Sequence, residues 1–363
     1  MIYIESDSFD PGYNLALEEY IFEEMDWSQT YFMLWQNDRT IVIGRNQDAE
    51  AEIDRKYVEA RGIRVVRRLS GGGAVYHDLG NLNFTFITDR EGEGIDFRRF
   101  CEPVVRTLAS FGVEAQISGR NDLTVDGRKV SGNSQYARNG RVMHHGCILF
   151  DTDLGVLTAA LRPDPDKIRT KGIRSVSARV ANLSEYMPAG TTLEDFKARL
   201  LEYAAQSMTV ERCELTHVQR ERVIAIKQTR YDLDEWNYGR KSCHTSQPYG
   251  DADGQEIPGA DTDGQENPAC NARWQENAHA IRRSVYITGC GSVRAEYSLI
   301  GGRLIGVTLT GDFFGAENVS ELCGMLEGVC ADRDSVRRIL SQAGPERYIT
   351  GISVDQLAEL LLG

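Results

Sequence analysis

The chain has 363 residues, 41% of them apolar and 26% charged, with a formal net charge of -13. That length suits two domains, each able to bury its own core, in an ordinary soluble globular protein. So acidic a balance argues against a nucleic-acid binder, which presents a broad basic surface.

From the amino terminus, Met1 to Asp7 lacks a basic stretch leading into an apolar one. No apolar run approaches the roughly 18 residues that span a bilayer, so the expected compartment is the cytoplasm, away from membranes. Asn14 to Met25 carries Leu17, Tyr20, Ile21 and Met25 on one helical stripe, entered from the turn Asp10-Pro11-Gly12. Tyr31 to Trp35 and Thr40 to Ile43 read as strands, and Glu52 to Arg61 as a helix ended by Gly62. Next comes Arg67-Arg68-Leu69-Ser70-Gly71-Gly72-Gly73-Ala74-Val75-Tyr76-His77-Asp78, between strands expected at Ile63 to Val66 and Phe84 to Ile87. Glycines let a ligand lie against backbone N–H groups, and two guanidiniums beside them suit a carboxylate or phosphate.

Phe97 to Phe111 reads as a helix stopped at Gly112, although Pro103 sits inside it. Residues 113 to 151 have the pattern of an antiparallel meander. Its two-residue turns, Asp126-Gly127 and Asn139-Gly140, separate strands at Asp122 to Val125, Arg128 to Gly132, Gln135 to Arg138 and Val142 to Phe150. A short helix at Leu154 to Leu161 is followed by a long loop, Pro163 to Val180. Lys167, Arg169, Lys171, Arg174 and Arg179 cluster there with no carboxylate among them, a candidate anion site. Leu193 to Met208 is an amphipathic helix with Thr191 and Glu194 in capping-box register.

The tract Lys241 to Asn277 is poor in large aliphatic residues and reads as a solvated insertion. It repeats Asp251-Ala252-Asp253-Gly254 as Asp261-Thr262-Asp263-Gly264, but no Glu stands at the twelfth position from either first Asp, which excludes an EF-hand. Cys243, His244, Cys270 and His279 fit no zinc spacing, and the eight cysteines lack C-x-x-C pairs. Strands follow at Ser284 to Ile287, Val293 to Ile300 and Arg303 to Thr310, with helices at Val319 to Leu326, Ser335 to Gln342 and Val354 to Leu362. The resulting division is a larger unit over 1–240, an insertion over 241–280 and a small α+β unit over 281–363.

Three more segments accompany the glycine loop: Gly119-Arg120-Asn121-Asp122-Leu123, Arg128-Lys129-Val130-Ser131-Gly132-Asn133-Ser134, and Lys171 to Val180. With Arg-Arg-x-Ser-Gly-Gly-Gly, this ordered set resembles the lipoate–protein ligases. Asn14-Leu15-Ala16-x-Glu18-Glu19, Ile43-Gly44-Arg45-Asn46-Gln47, His144-His145-Gly146 and Gly311-Asp312-Phe313-Phe314 extend the likeness along nearly the whole chain. The resemblance implies an α+β fold shared with biotin ligases and class II aminoacyl-tRNA synthetases: a catalytic domain of mixed, mostly antiparallel sheets flanked by helices, plus a small accessory domain. It also implies ATP-dependent activation of lipoate to lipoyl-AMP, with Mg²⁺ present. Transfer to a lysine then follows, on the lipoyl domains of 2-oxoacid dehydrogenases or the glycine cleavage carrier protein.

By the same resemblance, Lys129 bridges the lipoate carboxyl and the α-phosphate, with Asp122 as a second catalytic residue and the metal ligand. Arg68, Gly73, Ala74, Val75, Tyr76, Asn121, Lys129, Lys171, Ser175 and Arg179 are implied to hold the nucleotide. Arg68, Ser70, Gly71, Gly72, Gly73, His77, Lys129 and His145 are implied to hold lipoate. Cys147 stands where a threonine or serine is expected. It raises one rival, an ATP-independent octanoyl or lipoyl transferase working through a thioester. A non-catalytic lipoyl-binding relative would have lost part of the set Arg68, Lys129 and Lys171. A biotin ligase would carry Gly-Arg-Gly-Arg, which is absent.

Overall fold

The computed structural model describes residues 1–90, 96–119, 121–162, 179–206, 208–239 and 280–363. The basic segment from Lys167 to Arg174, Ser175, and the expected insertion up to residue 279 lie outside the described residues.

The larger sheet has eight strands: β1 (Ile2–Glu5), β2 (Tyr31–Trp35), β6 (Asn81–Asp89), β7 (Gln116–Ser118), β8 (Asp122–Val125), β9 (Arg128–Arg138), β10 (Arg141–Leu149) and β11 (Glu211–Arg212). They run in the order β11-β1-β2-β6-β10-β9-β8-β7. β1 is parallel to both its neighbours, and the remaining pairings are antiparallel. A small sheet, β4-β3-β5, holds β3 (Thr40–Ile43), β4 (Arg64–Arg67) and β5 (Val75–His77), and carries the glycine loop between its last two strands. The α+β expectation holds.

Every residue of β2 is buried, because both faces of the large sheet are covered. Phe32 and Leu34 join a core with the helices Arg98–Ser110 and Leu193–Ala205. Tyr31, Met33 and Trp35 point the other way, into a core built with Leu15, Leu17 and Ile21 of the opening helix, Pro11–Glu24. Period-two alternation in a doubly buried strand produces this division. The opening helix is fixed at both ends. Asp10 accepts from the Gly12 and Tyr13 N–H groups, with Pro11 in the first turn. At the other end Arg141, fully buried, donates to the carbonyls of Ile21 and Phe22, meeting orphan acceptors that a helix terminus leaves.

The meander's two turns form as expected. Asp126 and Gly127 have φ of 50° and 75°, and Asn139 and Gly140 have 51° and 80°, the left-handed pair that tight hairpins require. Several other expectations are corrected. Arg128 to Arg138 is one strand, not two, since pairing on both sides overrides the local preference of Gly132-Asn133-Ser134 for a turn. The helix expected over 52–61 is two short ones, Ala49–Glu52 and Arg55–Ala60, because Asp54 caps the second by accepting from the Tyr57 N–H. The capping box belongs to Thr192 and Asp195, one residue later than read. His217–Ile226 is a helix that the sequence reading left unassigned.

The carboxy-terminal unit is an antiparallel sheet of β12 (Ile281–Ile287), β13 (Gly291–Ile300) and β14 (Arg303–Gly311), packed with helices Val319–Leu326, Arg333–Ala343 and Val354–Leu362 around a separate core. It meets the rest of the chain at the glycine loop, at Asn46, at Phe97 and through the Arg294–Glu52 ion pair. The Gly72 N–H donates to the Phe313 carbonyl and the Gly311 N–H to the Asn46 carbonyl. Phe314 packs against Phe97 in the large core.

Candidate active site

Sheet register builds the site. Asp122 pairs with Gly132, Gly132 with Cys147, Cys147 with Asn83, and Asn83 with Trp35. Directly opposed residues share a face, so these five form one row across five strands, roughly 19 Å long at the usual interstrand spacing. A parallel row two residues away holds Ser134, His145, Thr85 and Met33. Over this floor lies a cavity of about 100 Å³, roofed by Leu15, Val42 and the segment Gly73-Ala74-Val75. One end is polar, with Lys129 and Asn121; the other is closed by Trp35 and His77.

At the polar end Lys129 Nζ lies 2.7 Å from Asp122 Oδ1, each side chain about one-third exposed (32% and 35%). Burial pushes the Lys129 ammonium down, but the Asp122 carboxylate and Cys147 together raise it above its usual range. The ammonium therefore stays charged. Gly132 makes room for it, since a Cβ there would stand 2.8 Å from Nζ. The backbone of Lys129 is held just as firmly: its N–H donates to the Arg179 carbonyl and its carbonyl accepts from the Ala181 N–H. Asn121 donates through Nδ2 to the Asn133 carbonyl.

The two arginines of the loop motif depart from expectation. Arg67 donates to five backbone carbonyls, those of Trp236, Gly44, Arg45, Gln47 and Asn237. Arg68 donates to Ser70 Oγ and to the carbonyls of Val42, Gly71 and Gly73. Both are buried, so the planar forks anticipated for an anion instead brace the glycine loop from within. Arg68 still lines the cavity, and burial lowers its guanidinium to about 10, leaving it a cation at neutral pH.

Ser70 and Glu18 belong to one buried chain of hydrogen bonds. Ser70 Oγ is 2.6 Å from His145 Nε2, and His145 Nδ1 is 3.0 Å from Glu18 Oε1. Glu18 also accepts from Thr85 Oγ1, which accepts from Trp35 Nε1. His145 thus links the Ser70 hydroxyl at Nε2 to the Glu18 carboxyl at Nδ1. Glu18 thereby anchors both the glycine loop and the closed end of the cavity.

Of the expected ligand residues, Arg68, Gly73, Ala74, Val75, His77, Asn121, Lys129 and His145 line the cavity. Gly71 sits against the floor through the bond from Ser134 Oγ to its carbonyl, and Gly72 faces Phe314. The Tyr76 side chain points away, into a core with Ile41 and Ile43. Arg179 meets Lys129 through its backbone. Lys171 and Ser175 are outside the described residues. Sequence reading missed Glu18, Trp35, Asn83 and Asn133 as parts of the site. His144 is not one: it lies stacked on Phe100 in the opposite core, held neutral chiefly by burial.

Residues 10–205 match the model of the lipoyl protein ligase A/B catalytic domain, and residues 277–361 that of the bacterial lipoate protein ligase C-terminus. The chain belongs to the lipoate–protein ligase family. It is 37% identical to the lipoate-protein ligase LplJ of Bacillus subtilis over 99% of this chain and 100% of that one. Among solved structures it resembles the bipartite lipoate protein ligase of Thermoplasma acidophilum, described with its E2 lipoyl domain (TM-score 0.59, 29% identity, 67% and 98% of the two chains). A lipoate-protein ligase A bound with ATP is similar (TM-score 0.58, 26% identity, 66% and 98% covered). The P. falciparum protein LipL1 shares the fold over 99% of both chains, with a TM-score of 0.73 at 20% identity. This chain is accordingly an enzyme of the lipoate ligase type.

Proposed function

We propose that this ligase activates lipoate with ATP at the Lys129 end of the cavity and passes the lipoyl group to a lysine of a lipoyl domain. The observation that carries this reading is the row from Asp122 to Trp35, which places a fixed cation at one end of an apolar trough and an aromatic stop at the other. The lipoate carboxylate attacks the α-phosphorus, a P–O bond to pyrophosphate breaks, and a mixed anhydride remains. The acceptor amine then attacks the acyl carbonyl and AMP departs. Carboxylate and phosphate repel each other, and an ammonium between them offsets that repulsion and the charge built up in the transition state. Lys129 is the group positioned to do this, and Asp122 is the carboxylate that holds it until an anion takes its place.

Mg²⁺ enters with the triphosphate, as substrate. It keeps several waters and needs few protein oxygens, so Asp122 beside Asn121 suffices to meet it; bound, it neutralises phosphate charge. In this proposal Arg68 acts through its charge and by bracing the loop, with Gly73, Ala74 and Val75 against the ligand. Leu15, Val42 and Cys147 flank the acyl chain. The acceptor is the kind of domain named with the Thermoplasma enzyme, extended here to the glycine cleavage carrier protein, and the setting is the cytoplasm.

The thioester route deserves a direct comparison because Cys147 lies in the floor row beside Gly132 and Lys129. The deciding experiment is the mass of a lipoyl domain after incubation with enzyme and lipoate, with and without ATP. Modification only with ATP, retained by Cys147→Ser and lowered about 100-fold or more by Lys129→Ala, is the expected result. Product without nucleotide, lost in Cys147→Ser, would replace this reading with the transferase.

A further inference from the structure

Residues 208–239 fall between the two ranges that the family domains match, yet they form a strap packed on the site. Helix His217–Ile226 lies on the opening helix, with Val223 and Ile226 in the same core as Leu17 and Ile21. A single π turn, Lys227–Tyr231, then redirects the chain. Arg230 and the Tyr231 hydroxyl both donate to Glu19, at 2.7 and 2.8 Å, and tie that turn to the opening helix. Beyond it the short helix Asp234–Tyr238 reaches β4 at Arg67.

β4 is an edge strand of the small sheet, and Arg67 is its last residue before the glycine loop. An edge residue's outward N–H and C=O need partners once they are buried. At Arg67 both partners are side chains of the strap. Its N–H donates to Asn237 Oδ1 at 3.0 Å, and its carbonyl accepts from Trp236 Nε1 at 2.8 Å. Asn237 is fixed in turn, its Nδ2 donating to the Tyr231 carbonyl, while Trp236 packs on Arg230 and Tyr231. From Arg67 the constraint passes to the loop by two short routes. Its Nη1 donates to the carbonyls of Gly44, Arg45 and Gln47. The Gly72 carbonyl rests on that turn, where a Cβ on Gly44 would stand 2.0 Å from it. The next residue, Arg68, donates to the carbonyls of Gly71 and Gly73.

Resting on the ligase reading above, we infer that Trp236 and Asn237 are positioning residues for ATP, holding the glycine loop through Arg67 at the distance from Lys129 that adenylation requires. Neither side chain touches substrate. A loop displaced by about 1 Å takes the α-phosphorus out of line with the attacking carboxylate, at a cost on the order of 100-fold. The trough floor belongs to the large sheet, so the effect falls on ATP rather than on lipoate.

Pyrophosphate exchange into ATP, with ATP and lipoate varied in turn, tests this on three variants of the full chain, each normalised to its folded fraction. Asn237→Ala leaves the Arg67 N–H without its acceptor. Trp236→Phe keeps a ring and removes only the donor, and Val223→Ala loosens the same strap without touching Arg67. The expected kcat/KM for ATP is about tenfold or more lower in Asn237→Ala and about three- to tenfold lower in Trp236→Phe, carried mainly by KM for ATP. KM for lipoate should stay within about twofold in both, and Val223→Ala should match the wild type within about twofold on either substrate. Should Asn237→Ala not fold, Trp236→Phe decides alone. Equal losses in every variant, or undiminished kcat/KM for ATP in the first two, would reduce the strap to a stabilising role and overturn the inference, leaving the ligase reading intact. A rise in KM for lipoate in place of ATP overturns it as well. No exchange by the wild-type enzyme would instead remove the ligase reading, and this inference with it.

Discussion

Glu18 shows how much one buried side chain can organise. It is 1% exposed and accepts from His145 on one side and from Thr85 on the other, reaching Ser70 and Trp35 through them. Its neighbours have no solvent to fall back on, so truncation leaves buried donors unsatisfied. Glu18→Ala is expected to cost about 2–4 kcal/mol of stability, with two or more groups orphaned at roughly 1–3 kcal/mol each. A denaturant titration checks this. Within the folded fraction KM for lipoate should rise more than kcat falls, because the residue shapes the trough and touches no reacting atom. A change in kcat alone would contradict that assignment.

At the scale of elements, the two hairpin turns decide the site. Val125 is paired with Arg128 and Arg138 with Arg141 across Asp126-Gly127 and Asn139-Gly140. Counting back from the second pair sets Ser134 against His145 and Gly132 against Cys147. The turns themselves were legible in the sequence, as were the glycine loop, the lysine strand and the order of elements; the register at Gly132 and Ser134 was not, because the reading ended the strand at Gly132. What was not legible came from long-range packing. The partners of Arg67 and Arg68 are carbonyls of Val42, of the Gly44-to-Gln47 turn, of the residues Trp236 and Asn237, and of the loop itself, with Ser70 Oγ, and local sequence gives no sign that a charged pair turns inward. Trp35 and Asn83 entered the site only because β2 pairs with β6 and β6 with β10. Gly132 was read as the end of a strand, yet it lies inside a continuous one, where it admits the lysine. Its replacement isolates that role: in Gly132→Ala the new methyl meets the mobile end of Lys129, not rigid backbone. We expect adenylation to fall about tenfold or more while the melting temperature moves by only a few degrees, a stability change of about 1 kcal/mol. Loss of stability without loss of adenylation would show that the glycine serves the strand alone.

For the molecule as a whole, burial of neutral histidines sets a dependence on acid. His77 has a folded pKa of about 3, below its unfolded value of about 6.5. The unfolded chain therefore binds the proton first, and stability is complete above about pH 6.5 and declines as pH falls toward 3. By about pH 5 this one residue removes about 2 kcal/mol, and His144, also depressed by burial, adds in the same direction. Unfolding free energies measured at about pH 6.5 and about pH 5 in wild type and His144→Phe should show the variant losing less. An identical loss in both would mean that other groups control the acid limb. The two folded units also meet at the glycine loop, where Phe313 and Phe314 close against Gly72 and Phe97, so loop geometry and the carboxy-terminal unit are set together.

The most direct measurement is a crystal structure with a sulfamoyl analogue of lipoyl-adenylate. The acyl carbonyl and the phosphate mimic should both lie within hydrogen-bonding distance of Lys129 Nζ, with Asp122 displaced and the dithiolane against Trp35. An analogue bound elsewhere, with the Lys129–Asp122 pair undisturbed, would contradict the account.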